Sequence, residues 1–324
     1  MTPSHPSPFQ RGGQGGGYTD FMAESPAGSV RTLTFTERLD AYERLMRLDQ
    51  PIGALLLLWP ALWSLWLARR AVPEAEVLII FLLGVVLMRS AGCVINDCAD
   101  RRFDPHVERT RNRPLAAGIV APREALMLAA ALLLAAFVLV LQLNWLTVML
   151  SFAALAITVV YPFLKRFFVF PQAWLGVAFS FSIPMAYAAQ LGYVPLAGWA
   201  LMGATFFWII AYDTEYAMVD CDDDLKLGLK SSAILLGRFD VAGVMIAHAL
   251  FLAILTAIGR WQRLESYYFA GLTVAAGLVL YQYWLIRGRD RSRCFRAFRN
   301  NNWVGLAVFA GLALDLHFRS GMLR

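Results

Sequence analysis

Long apolar runs separated by short charged segments dominate the chain. Residues 51–68 (PIGALLLLWPALWSLWLA) carry no charge, residues 266–286 carry none, and 167–212 run uncharged for long enough to cross a bilayer twice. A spanning helix needs about 20 mostly apolar residues, so these runs predict transmembrane helices. Windows of this kind place nine of them, near 50–69, 76–95, 123–142, 144–162, 172–190, 196–217, 239–259, 266–287 and 301–318. The expected fold class is therefore an all-α integral membrane protein. An acidic loop follows the second span and another follows the sixth, so the two halves are expected to repeat one helix-loop plan.

Composition agrees: 59% of the 324 residues are hydrophobic and 16% are charged, against about 25% charged in an ordinary soluble domain. Residues 1–37, with GGQGGG at 12–17, lack both an apolar signal core and an Arg-rich amphipathic pattern. They are expected to form a disordered tail before a polytopic domain at 38–324, with Met22 as an alternative start. The four cysteines, Cys93, Cys98, Cys221 and Cys294, have no paired spacing. Neither a disulfide framework nor a zinc site follows. His5, His106, His248 and His317 show no ligand spacing either.

The net charge of +6 comes from arginines beside apolar spans, where topology and anionic headgroups account for them; nucleic acid is not an expected partner. With nine spans, one set of loops gathers Arg101, Arg102, Arg109, Arg111 and Arg113, then Lys165 and Arg166, Lys226 and Lys230, and the arginines of 287–299. The positive-inside bias puts that set in the cytoplasm, with the N-terminus inside and the C-terminus outside. A multi-pass location in a bacterial inner membrane is expected.

Two acidic clusters carry the candidate chemistry. The first is NDCADRRFD at 96–104, with Asp97, Asp100 and Asp104. If the second span continues this far, turning about 100° per residue brings the three side chains within roughly 60° of one another. The second is DTEYAMVDCDDD at 213–224, where Asp213, Asp220 and Asp224 return to one face within about 40°. Glu215, Asp222 and Asp223 fall off that stripe. One acidic run is ordinarily a solvated helix stop; two stripe-aligned runs on one predicted side call for cations between them. Mg²⁺, held by one or two carboxylates together with substrate phosphates, is the expected occupant.

A departing diphosphate needs positive charge beyond the metal. Arg101, Lys165, Arg166 and Lys230 lie beside the clusters, Arg47 precedes the first span, and Arg89 sits inside the second, where an unpaired charge is costly. Arg47 and Arg89 are candidates for a substrate carboxylate or a phosphate; the alternatives are a membrane anchor for Arg47 and an internal ion pair for Arg89. Aromatic faces for stabilising an allylic cation are available from Trp59, Trp63, Tyr161, Phe181, Tyr187 and Trp208. A cation transporter would also use paired acids, but near the bilayer midplane rather than at the cytoplasmic ends of spans.

These motifs resemble those of the UbiA-type intramembrane prenyltransferases: NDCADRRFD matches their NDxxDxxxD pattern, and DTEYAMVDCDDD resembles their second Asp-rich motif. RLDQPIGALLLLWPALWSLW at 47–66, YPFLKR at 161–166, SIPMAYAA at 182–189 and DDDLKLGLKSSAILLG at 222–237 are similar to the 4-hydroxybenzoate branch, over roughly residues 38–318. The resemblance implies nine helices around a central cavity under cytoplasmic cap loops. It implies that Asn96, Asp97, Asp100 and Asp104 form one metal-diphosphate site and Asp220 and Asp224 the other, with Asp213 and Tyr216 opening the second motif. The implied substrates are a polyprenyl diphosphate and 4-hydroxybenzoate, prenylated ortho to its hydroxyl in the membrane step of ubiquinone biosynthesis, with Asp100 or Asp213 polarising the phenol. Membrane lipid is the expected surrounding, and no obligate protein partner is implied.

Overall fold

The computed structural model describes residues 34–107, 110–164 and 168–322, and no strand occurs among them. The first helix, α1 (Phe35–Met46), starts at a capping box. The Thr34 hydroxyl accepts the Glu37 N–H at 3.3 Å, and the Glu37 carboxylate accepts the Thr34 N–H at 2.9 Å, which satisfies two otherwise orphaned donors. Helical structure thus begins at Phe35, inside the stretch expected as tail; residues 1–33 lie outside the described residues. Ala41 and Leu45 bury one face of α1 against Val94 and Leu115, and the Tyr42 hydroxyl donates to Glu124.

Eleven further helices follow: α2 (Ile52–Arg69), α3 (Ala75–Asp100), α4 (Pro122–Val140), α5 (Trp145–Leu164), α6 (Pro171–Ser180), α7 (Ser182–Leu191), α8 (Leu196–Leu227), α9 (Ser232–Leu236), α10 (Asp240–Trp261), α11 (Ser266–Ile286) and α12 (Arg291–Met322). Among the described residues, seven segments are long and apolar enough to cross a membrane: α2, α3, α4, α6 with α7, α8, α9 with α10, and α11. The expected spans at 144–162 and 301–318 fall in α5 and in the second half of α12, outside those seven. The helix α5 is itself 20 residues long, and Asn301, Asn302, Asp315 and His317 dilute the hydropathy of α12. Leu134, Val138, Val274 and Leu280 are each more than half exposed, as lipid-facing side chains of a multi-pass bundle are.

The span expected at 172–190 breaks into α6 and α7. Pro184 has no N–H to give the Ser180 carbonyl, and its ring opposes a continuous helix there. The break turns Phe181 and Ser182 toward the interior.

The main core joins α2, α8, α10, α11 and α12. Trp63 and Trp208 meet at 5.1 Å between ring centroids, and Trp208 stacks on Phe251 at 5.6 Å. Buried area and ring geometry both favour such aromatic clusters. The Trp208 indole donates to Asn301 Oδ1 at 2.9 Å, and Asn301 Nδ2 donates to Glu215 Oε2 at 2.7 Å. Glu215 and His248 are both fully buried, with Nε2 3.8 Å from Oε1. Glu215 therefore faces away from the acidic stripe, as the helical arithmetic requires, and ties α8 to α12. Between α11 and α12 the backbones approach closely: a Cβ on Gly271 would lie 2.6 Å from the Ala307 carbonyl oxygen and 2.9 Å from Gly311 Cα. Small residues permit such packing in membrane bundles.

Candidate active site

One large cavity, of about 1450 Å³, opens between α1–α8 and α12. Along α3 its wall runs from Ile80 to Asp97, which at 1.5 Å per residue is about 25 Å. The far part is apolar, with Phe81, Leu134, Phe137, Leu143 and Phe152 on its wall; the near part gathers charge.

Asp97 is the hub of the charged end, with only 1% of its surface exposed. Its Oδ1 accepts from Arg47 Nη2 at 2.8 Å and from Arg113 Nη1 at 3.0 Å. Arg113 Nη1 also lies 3.1 Å from Asp104 Oδ2. Arg47 reaches Asp97 because α1 ends on it in the left-handed region, φ 59°, and its Nη1 is steadied by the Arg44 carbonyl at 2.9 Å. Two buried carboxylates and two guanidiniums compensate each other, and removing either arginine strands a buried charge.

Asp104 does not continue the α3 stripe. The helix ends at Asp100 and the chain turns into a short 3₁₀ segment at Asp104–His106, so the rotation that aligned Asp97, Asp100 and Asp104 stops before Asp104. Asp104 returns to Asp97 through Arg113 instead. Burial pushes the Asp104 carboxyl above its ordinary value; Arg113 pulls it down, and the Asp97 and Asp100 carboxylates raise it again.

Of the other expected site residues, Asn96, Arg89, Asp213 and Tyr216 line the same cavity. Asn96 Nδ2 donates to Asp100 Oδ2 at 3.2 Å, and Tyr216 packs on Phe298 with ring centroids 4.8 Å apart. Asp100, Arg101, Asp104, Asp220, Asp224 and Lys230 are not on the cavity wall. For the second motif the reason is length: α8 stays helical to Leu227, which places Asp224 about 16 Å along the axis from Asp213. Lys165 and Arg166 lie outside the described residues, as does Arg109. Asp223, off the stripe, pairs instead with Arg291 at 3.0 Å. Of the six aromatics considered for cation stabilisation, Tyr161 and Phe181 line the cavity, while Trp59, Trp63, Tyr187 and Trp208 belong to the core.

The sequence reading missed several wall residues: Arg44, Asp49, Arg113, Ser182, Tyr212 and Arg299. Among the described lining residues five arginines face three aspartates, an excess of two positive charges suited to an anion. Arg89 Nε, Tyr212 Oη and Ser182 Oγ are buried without a hydrogen-bond partner among the described residues. Buried orphans of this kind call for a ligand or water, and the Arg89 and Asp213 charges both reach the Tyr212 hydroxyl.

Among the described residues no group of three or more His, Cys, Asp or Glu side chains could by itself hold a metal ion. Asn96 and Asp97, neighbours on α3 at the charged end of the cavity, offer oxygen donors of the kind a hard cation takes when it completes its shell with water and phosphate oxygens.

The description UbiA prenyltransferase family matches residues 57–307. The chain belongs to the UbiA prenyltransferase family. The resemblance to this family is thus borne out. Curated family members cover nearly their whole length with this chain. The 4-hydroxybenzoate octaprenyltransferase of Nitrosospira multiformis is 62% identical over 89% of the chain and 99% of its own length. The enzyme of the same name from Nitrosomonas europaea is 59% identical over the same shares. Among solved structures, the apo UbiA homolog of Aeropyrum pernix K1 superposes with a TM-score of 0.73 at 28% identity, covering 81% of this chain and 97% of that one. The fold is also that of the UbiA homolog from Archaeoglobus fulgidus bound to GPP and Mg²⁺, with a TM-score of 0.64 at 19% identity over 83% and 99% of the two chains.

Proposed function

We propose that this UbiA-family chain is a 4-hydroxybenzoate polyprenyltransferase, forming the bond between C1 of the prenyl chain and the ring carbon ortho to the hydroxyl, in the membrane step of ubiquinone biosynthesis. The observation that carries the reading is the single cavity that joins an arginine-rich end to a long apolar body. An amphiphilic diphosphate requires both, and the names of the nearly full-length relatives supply the acceptor.

In this reading Arg47, Arg113 and Arg299 face the diphosphate, and Asn96 and Asp97 would hold Mg²⁺, which when bound neutralises the charge that builds on the leaving group. The C1–O bond breaks with its electron pair going to the diphosphate. The ring carbon ortho to the phenol oxygen bonds to C1 and then loses its proton to the released diphosphate. Tyr161, Phe181 and Phe298 turn apolar or π surface toward the reacting carbon and keep water from it. Arg89, with an orphaned Nε and no acidic partner among the described residues, receives the acceptor's carboxylate. Asp213 polarises the phenol; Asp100, bound to Asn96 and off the cavity wall, orients that amide.

The proposed topology has nine crossings of a bacterial inner membrane, adding α5 and the second half of α12 to the seven apolar segments. The charged end of the cavity faces the cytoplasm, on the side of the basic 287–299 loop, with the N-terminus on that side.

Asp213→Asn separates acceptor activation from diphosphate binding. Turnover falls by about 100-fold, the size of a general-base contribution, while the KM for the prenyl diphosphate stays close to that of the unaltered protein. Steady-state kinetics against each substrate read both quantities. Unchanged turnover removes Asp213 from the mechanism.

A further inference from the structure

Gly53 lies in the first turn of α2 with its Cα against the Arg89 guanidinium. A Cβ at this position would stand 2.6 Å from Arg89 Nη2, 2.7 Å from Nε and 3.0 Å from Cζ, whereas unstrained contacts sit near about 3.5–4.0 Å. Glycine is needed either where φ is positive or where something approaches the backbone closely. Gly53 is not among the positive-φ glycines, so the backbone admits alanine, the better helix former, and the atoms its Cβ would meet first are those of the Arg89 guanidinium. The rest of the Arg89 head is held weakly: Nη1 donates to Cys93 Sγ at 2.6 Å, a poor acceptor, and Nε has no partner among the described residues. Gly53, Arg89 and Cys93 all line the cavity.

We propose that Gly53 is a positioning residue for acceptor recognition: its absent side chain is the seat on which the Arg89 guanidinium lies, and that seat aims the fork at the carboxylate of the aromatic acid. The proposal rests on the reading that Arg89 receives that carboxylate. A guanidinium binds a carboxylate through two parallel N–H donors, so its value depends on orientation as much as on charge. With a methyl group on the seat, the flexible arginine swings aside and the helix persists. The charge stays in the cavity while the aim is lost.

The test is a double-mutant cycle on the purified full-length protein, with geranyl diphosphate and 4-hydroxybenzoate as probes. Gly53→Ala raises the KM for 4-hydroxybenzoate by about 10- to 100-fold, as misplacement of a binding group does, and leaves the KM for geranyl diphosphate unchanged. In an Arg89→Gln background the same substitution adds nothing, because the group it displaces is gone. An unchanged acid KM in Gly53→Ala, or an equal rise in both backgrounds, overturns the seat. An unchanged acid KM in Arg89→Gln alone overturns the Arg89 reading beneath it. Should Gly53→Ala fail to fold, rescue of folding by Arg89→Gln sustains the clash, and failure of both proteins overturns it.

Discussion

Asp97→Asn lowers kcat/KM for prenyl transfer by about 10²- to 10³-fold, the range seen when a preorganised charged or dipolar group is removed from a developing charge. The substitution preserves shape and removes one negative charge from the most buried carboxylate of the cavity. Arg47 and Arg113 both donate to Asp97 Oδ1. An amide oxygen accepts more weakly than a carboxylate, and the amide nitrogen presents hydrogens to guanidiniums that can only donate. Two of the three arginines proposed to face the diphosphate are thereby misdirected at the same time as a proposed Mg²⁺ ligand is weakened. Initial rates over a range of Mg²⁺ concentrations read the two effects together. Activity within about tenfold of the unaltered protein at saturating Mg²⁺ contradicts the placement of Asp97 at the site's centre.

Arg113→Ala costs about 3–5 kcal/mol of stability, because it leaves two buried carboxylates facing each other without their shared counterion. The defect depends on pH in a defined sense. The Asp104 carboxyl is raised in the folded state by burial, and Arg113 is the group that pulls it down; without Arg113 it rises further. A raised carboxyl opposes folding fully above its folded-state pKa, and the penalty fades as pH falls from there toward the lower unfolded-state value. The loss of stability is therefore largest near neutral pH and shrinks on acidification. Arg113→Lys keeps the charge and recovers part of the loss. Thermal denaturation in detergent across pH checks all three statements; a defect that grows on acidification contradicts the pairing.

Most of the helical plan could be read from apolar runs, because a lipid environment enforces long uncharged helices. What could not be read was where helices bend or end. The 172–190 run carries no charge, and a count of apolar residues gives no weight to Pro184, near which it breaks into α6 and α7. The alignment of Asp97, Asp100 and Asp104 assumed a helix that stops at Asp100, so spacing alone misplaced Asp104, while the same arithmetic on α8 holds because that helix continues to Leu227. Arg47, Arg89, Asp97 and Asp213, now on the cavity wall, were legible because each lies in or beside a span with a charge that lipid does not favour, while Asn96 and Tyr216 were legible only through the resemblance to the family's motifs. Arg113 was not, since in sequence it is one of several loop arginines. A signal existed: two buried aspartates demand a buried cation, and Arg113 is the one both share. Gly53 and Tyr212 carry no charge in the sequence, and only the shape of the cavity reveals them.

The central claim is that one cavity brings a prenyl diphosphate and 4-hydroxybenzoate together. The most direct measurement incubates the purified protein in detergent or lipid with Mg²⁺, geranyl diphosphate and 4-hydroxybenzoate, and identifies the product by mass spectrometry and NMR. The account predicts 3-geranyl-4-hydroxybenzoate and diphosphate, lost on chelation of the metal and nearly absent with Asp97→Asn. Folded protein that forms no prenylated acid, with geranyl diphosphate or with longer chains, contradicts it.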